Sequence, residues 1–156
     1  MGRVAEELRE YAEARQNYQQ ALAIKIEFGD RYSQASTYHQ LGIVAQALRE
    51  YADARQNYQQ ALAIFIEFGD RYSQASTYHQ LGMVAEDLED FPEAKNNFLQ
   101  AFQIWAEYND EYSLKTFSIP SFFRIYQTTQ DPSLLESISQ VLGISIDQAR
   151  QQLESS

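Results

Sequence analysis

The sequence predicts an all-α fold: a superhelical solenoid of antiparallel helix pairs, closed at its C-terminal end by a degenerate helical cap. Three observations carry that prediction. Residues 41–80 repeat residues 1–40, differing only at Met1/Leu41, Arg3/Ile43, Glu6/Gln46, Glu7/Ala47, Glu13/Asp53 and Lys25/Phe65, and residues 81–120 hold a worn third copy. A fixed period of this length marks one supersecondary unit that stacks on its neighbours to bury its apolar face. Within each copy, apolar residues recur at steps of three and four, the stripe of an amphipathic helix. Glycine, aspartate and proline fall where such helices should stop and start.

Taken in order, Ala54, Tyr58, Ala61, Phe65 and Phe68 form one stripe, helix B of the repeat, and Ala75, Tyr78, Leu81, Gly82, Ala85 and Leu88 form another, helix A. Gly29 and Gly69 stand where helix B ends and a left-handed residue is wanted; Asn109 takes that place in the third copy. Asp30, Asp70 and Asp110 follow, each able to cap the next helix A through its carboxylate. Pro92 falls in the first turn of a helix B, where its missing N–H costs little. The spacing predicts helices over 12–28, 31–48, 52–68, 71–88 and 92–108, with a truncated helix A over 1–9, so the chain is expected to begin inside a repeat.

After Tyr112 the repeat decays, and Pro120 lands inside the expected fourth helix A, where it should kink or split the helix. Asp131 and Pro132 read as the cap and first turn of a helix to Leu142; Gly143 to Ser145 end it, and a last helix follows over 146–154. The expected organisation is an array over residues 1–127 and capping helices over 128–156.

Composition narrows the function. Twelve basic residues against 22 acidic ones give a net charge of -10, and the basic residues are scattered rather than grouped. Nucleic-acid binding draws on clustered Lys and Arg, so no nucleic-acid partner is expected. The absence of cysteine excludes disulfides and thiol chemistry. The N-terminus has no apolar signal segment, no membrane span is visible, and Glu6 stands where a myristoylation signal wants Ser or Thr. A cytoplasmic protein without membrane attachment is the expectation. His39 and His79 recur in identical contexts with no third ligand at metal spacing, and no phosphate loop or catalytic set accompanies them. No metal, cofactor or enzymatic activity is expected.

The repeat resembles the tetratricopeptide repeat. That family's pattern of aromatic, Leu-Gly and spaced small residues is met by Tyr38, Leu41, Gly42, Ala45, Ala54, Tyr58 and Ala61, and again by Leu81, Gly82, Ala85, Ala94, Phe98 and Ala101. Gly42 and Ala54 are expected to let the paired helices approach closely, with Tyr58 filling the gap to the next pair. Two departures are Ala45 in place of the third aromatic and Ile66 in place of the closing proline. The longer 40-residue unit is similar to the repeats of Pins-type polarity adaptors, kinesin light chains and bacterial multidomain arrays. The resemblance covers residues 1 to about 127.

What the resemblance implies is a protein-interaction scaffold whose partner lies in the concave groove of helices A. The matching positions are Ser36, His39, Ile43 and Gln46 in one copy, Ser76, His79, Met83, Glu86 and Asp87 in the next, and Phe123 in the fourth helix A. Capture of chaperone tails by a carboxylate clamp is not expected, because His39, Ile43, His79 and Met83 occupy positions where that mode needs Lys and Asn. A mildly acidic, partly apolar groove suits a peptide with basic and apolar side chains. Two alternatives stay open. The underpacked first helix B and near-identical copies make a self-associating array, a homo-oligomer, feasible. The string around Leu142-Gly143-Ile144-Ser145 resembles a helix-turn-helix of the sigma-factor type, which implies a DNA-binding regulator. Against that, residues 131–156 carry Asp131, Glu136, Asp147 and Glu154 against Arg150 alone.

Overall fold

The computed structural model describes residues 2–155, and among them no strand occurs. The chain divides after Asp70 into two compact units.

The first unit holds α1 (Gly2–Glu27), α2 (Arg31–Ala47) and α3 (Tyr51–Glu67). The α1–α2 turn closes as the glycine requires: Gly29 has φ +69°, its N–H donates to the Ile26 carbonyl at 3.1 Å, and the Asp30 N–H reaches Lys25 O at 2.9 Å. Asp30 then accepts the Ser33 N–H and caps α2. The α2–α3 turn has the same hydrogen-bond pattern without a glycine. Arg49 takes the left-handed conformation at φ 60°, and the Glu50 N–H reaches Ala45 O at 2.8 Å. The paired helices meet at Gly42, above which the Tyr58 ring lies fully buried. The tyrosine therefore fills space within its own pair, where the sequence reading had it bridging to the next. Ala35, Ala61, Ile64 and Phe65 make the adjoining core.

One expectation is overturned here. Residues 2–9 do not form a separate truncated helix A; they continue into α1 as one 26-residue helix. Leu8-Arg9-Glu10-Tyr11 is helical, although the same four letters at 48–51 turn the chain into α3. The turn requires Arg49 in a strained left-handed state, at a cost of about 1 kcal/mol. The close contact of Gly42 with Tyr58 across the pair, and the burial of Leu41, Val44 and Ala45, offset it. Residues 2–9 are rich in strong helix formers and stay helical.

The second unit holds α4 (Arg71–Asp87), α5 (Phe91–Glu107), a single turn α6 (Glu111–Ser113), a π-helical segment (Leu114–Ser118), α7 (Ile119–Thr129), α8 (Pro132–Leu142) and α9 (Ile146–Glu154). The α4–α5 pair repeats the α2–α3 design, with Gly82 against Phe98 and Glu89 left-handed at φ 59°. Asn109, at φ 53°, does the work of the earlier glycines. Pro120 perturbs its helix as expected. With no N–H to donate and a ring that crowds the carbonyl four residues back, it is preceded by a wider turn in which the Ile119 N–H reaches Leu114 O. The start and end of α8 stand as expected, with Asp131 accepting the Ser133 N–H and Gly143 left-handed; α9 opens on a capping box of Ser145 and Gln148 that the sequence reading did not name. Phe98, Phe102, Phe122, Ile125, Leu134, Ile138 and Leu153 share one core, so α8 and α9 bury their apolar faces together with the third repeat.

A ladder of polar contacts explains why the turn sequence Glu-Phe-Gly-Asp-Arg-Tyr is kept. Arg31 pairs with Glu67, and the Tyr32 hydroxyl donates to Asp70. In the second unit Arg71 holds Glu107 through two bonds of 2.9 and 3.2 Å, and the Tyr72 hydroxyl donates to Asp110 at 2.6 Å. Each links the start of a helix A to the end of the following helix B.

Candidate functional site

The outward residues of the helices A were the candidate partner surface, and they fall into three kinds. Ser36 and Ser76 are exposed, their hydroxyls donating back to Ser33 O at 3.0 Å and Ser73 O at 3.3 Å. Ile43 is 36% exposed, and Met83 and Phe123 are half-buried, both packed against the large core of the second unit. Asp87 is exposed at the end of α4. These residues present atoms to solvent.

Others are already committed inside the protein. Gln46 accepts the Tyr58 hydroxyl at 2.8 Å, which satisfies the one polar atom of that buried ring. Burial raises the Tyr58 phenol far above its ordinary range, so the hydroxyl stays protonated and donating. Glu86 is held by Arg124 of α7 through contacts of 3.0 to 3.4 Å. That arginine escaped the sequence reading; the signal was its distance of 38 residues from Glu86, the same separation as between Tyr72 and Asp110.

The two histidines part company. His39 is half-buried, edge-on to the Tyr58 ring at 5.3 Å between centroids, and burial lowers its pKa. His79 is buried at 7% exposure and lies among three rings, Phe98 at 5.3 Å, Trp105 at 5.7 Å and Phe117 at 5.4 Å. Its Nδ1 has no hydrogen-bond partner. Burial, with the nearby Arg124 charge adding to it, pushes its pKa down to about 4, so it is neutral at ordinary pH. Phe117 belongs to the π-helical segment, and its place over His79 could not be read where the repeat had decayed. As a surface for a partner, His79 offers little; as a core residue it fixes Phe117 and Trp105.

In the second unit, Met83 of α4 and Phe123 of α7 are half-buried on the same core, the Glu86–Arg124 pair links the same two helices, and Asp87 is exposed at the end of α4. Such a face can hold an apolar side chain and a neighbouring base. Among the described residues, no three His, Cys, Asp or Glu side chains converge as a metal site would need, and no helix is long and apolar enough to cross a membrane. At the C-terminus Arg150 is paired with Asp147 at 3.2 Å, so the outer face of α9 has no unpaired base.

A family model described as tetratricopeptide repeat matches residues 1–67, and a second model of the same description matches residues 74–109. No curated protein matches the chain.

Proposed function

The chain belongs to the tetratricopeptide repeat family, and from that premise we propose that it captures a peptide or protein segment along the outward face of its helices A. Tetratricopeptide repeats generally mediate protein–protein interaction and scaffolding, and the proteins they build are typically non-enzymatic. The observation that carries the finer reading is that Met83 and Phe123 are half-buried on one core while the Arg124–Glu86 pair joins their two helices, with Asp87 exposed one residue beyond Glu86. A segment with an apolar side chain flanked by Lys or Arg complements that surface. Ser36, His39, Ile43 and Gln46 line the equivalent face of α2 in the first unit. Residues 128–156 cap the array in this reading, since Leu134, Leu135, Ile138, Ala149 and Leu153 are spent on the core.

The test is a peptide array of basic and apolar sequences, followed by affinity measurement on the best binder. Asp87→Lys should weaken that binder about tenfold or more while leaving the circular dichroism spectrum unchanged, and Arg124→Gln, which frees Glu86, should strengthen it. Affinity indifferent to both changes places the partner elsewhere.

A further inference from the structure

Residues 81–86, Leu-Gly-Met-Val-Ala-Glu, repeat residues 41–46, Leu-Gly-Ile-Val-Ala-Gln, and the ring packed on the glycine changes with the last letter: Tyr58 goes with Gln46, Phe98 with Glu86. The two rings are seated alike. A Cβ on Gly42 would stand 2.6 Å from Cε1 of Tyr58, and one on Gly82 would stand 2.6 Å from Cε1 of Phe98. Each ring also has a histidine at 5.3 Å, His39 in one unit and His79 in the other. Their outer ends differ. The Tyr58 hydroxyl donates to Gln46 at 2.8 Å and ties that side chain into its own helix pair. Phe98 has no hydroxyl, and Glu86 turns instead to α7, where it accepts from Nε and Nη2 of Arg124 at 3.0 to 3.4 Å and stays 22% exposed.

We propose that the buried ring at 58 and 98 is a positioning residue that sets which charge its repeat presents on the helix A face. Tyrosine keeps the side chain four residues after the glycine inside the pair, and phenylalanine releases it to the neighbouring helix A. The chemistry of burial drives this. A buried phenol has to give its proton to an acceptor, and the first unit shows that the acceptor is Gln46, although His39 stands beside the same ring. A carboxylate tucked against a ring with no proton to give would be a desolvated charge without a partner. Tyr with Gln and Phe with Glu are therefore matched pairs, one inward and neutral, the other outward and acidic.

For a partner the difference is one of specificity. A basic side chain finds a carboxylate at this register on α4, already engaged with Arg124 and open to competition, and finds none on α2. That consequence rests on the helix A face being the partner surface, whereas the positioning itself can be tested with no partner present.

Hydrogen exchange of the Arg124 Nε–H, followed by heteronuclear NMR on the full chain, is the first measurement. Slow exchange is expected in the native chain and in Phe98→Leu, which also lacks a hydroxyl. In Phe98→Tyr the new hydroxyl draws Glu86 inward, and exchange should quicken roughly tenfold or more, the scale of losing a hydrogen bond to a charged group. The reciprocal variant Tyr58→Phe removes a single atom, and its Gln46 carboxamide should gain fast side-chain motion. Unchanged Arg124 exchange in Phe98→Tyr, equally quickened exchange in Phe98→Leu, or an immobile Gln46 in Tyr58→Phe overturns the proposal. Phe98→Tyr should also weaken the best basic peptide several-fold, opposite in sign to Arg124→Gln. If the NMR responses appear and the peptide is indifferent, the positioning stands and the partner surface lies elsewhere.

Discussion

Gly42 and Tyr58 touch across the two helices of one repeat so closely that no side chain fits between them, and Gly82 and Phe98 repeat the contact in the second unit. Alanine at either glycine would favour the helix by roughly 0.5–1 kcal/mol. The displaced ring would cost more, about 1–3 kcal/mol of overpacking. We expect Gly42→Ala and Gly82→Ala each to destabilise the chain by about 1 kcal/mol or more. Gly2→Ala, whose added Cβ meets nothing within 4 Å, should be neutral or slightly stabilising. Urea melts of the three variants decide it.

The buried His79 makes stability depend on pH. Its folded pKa, about 4, lies below the ordinary 6.5, chiefly because burial penalises the imidazolium. The unfolded chain thus binds the extra proton between these values, and stability is fully present above pH 6.5 and drains away as pH falls toward 4. The loss amounts to about 3 kcal/mol at most. Denaturation midpoints across that window should fall in the native chain and stay flatter in His79→Gln by that difference.

Asp131 gives a separate acid response. Lys95 at 2.8 Å, then the Ser133 hydroxyl and N–H, hold its carboxyl down to about 2 from the usual 3.8. This carboxylate stabilises the fold above its ordinary value, and the contribution disappears as pH drops through the lowered one. In Lys95→Met the carboxyl pKa, followed by side-chain carbon shifts, should rise while remaining below 3.8, since Ser133 still donates to it.

The turns from helix A to helix B offer a stabilising change. Arg49 and Glu89 adopt left-handed conformations at φ near 60°, which glycine tolerates at no steric cost. Arg49→Gly and Glu89→Gly should each raise stability by about 0.5 kcal/mol, the strain relief outweighing the freedom glycine adds to the unfolded chain. Thermal melts that show both variants weakened would mean the arginine and glutamate side chains contribute more than their backbones lose.

Helix positions were legible because punctuation and periodicity agreed: Gly29, Gly69, Asn109 and Gly143 stop helices where the apolar stripes end, and Asp30, Asp110, Asp131 and Ser145 start the next. What escaped depended on neighbours. Arg49 and Glu89 carry no sign of left-handed backbone, since packing of the pair imposes it. The burial of His79 needs Phe117, brought over it by a π-helical turn that a decayed repeat does not announce. Arg124 closes on Glu86 from the next helix A, and a charge read along one helix looks available when its partner lies 38 residues away. Of the candidate surface residues, Gln46, Glu86 and His79 are thus engaged inside the protein, which their positions along one helix do not reveal.

Leu-Arg-Glu-Tyr, helical at 8–11 and bent at 48–51, has a consequence for how such arrays grow. The bend is written into the contact between neighbours, so the tetrapeptide works as a seam: it folds at 48–51, between helices that meet at Gly42 and Tyr58, and runs on as continuous helix at 8–11. The same four letters thus continue one helix or join two, so an array can lengthen by whole repeats with no new connector sequence.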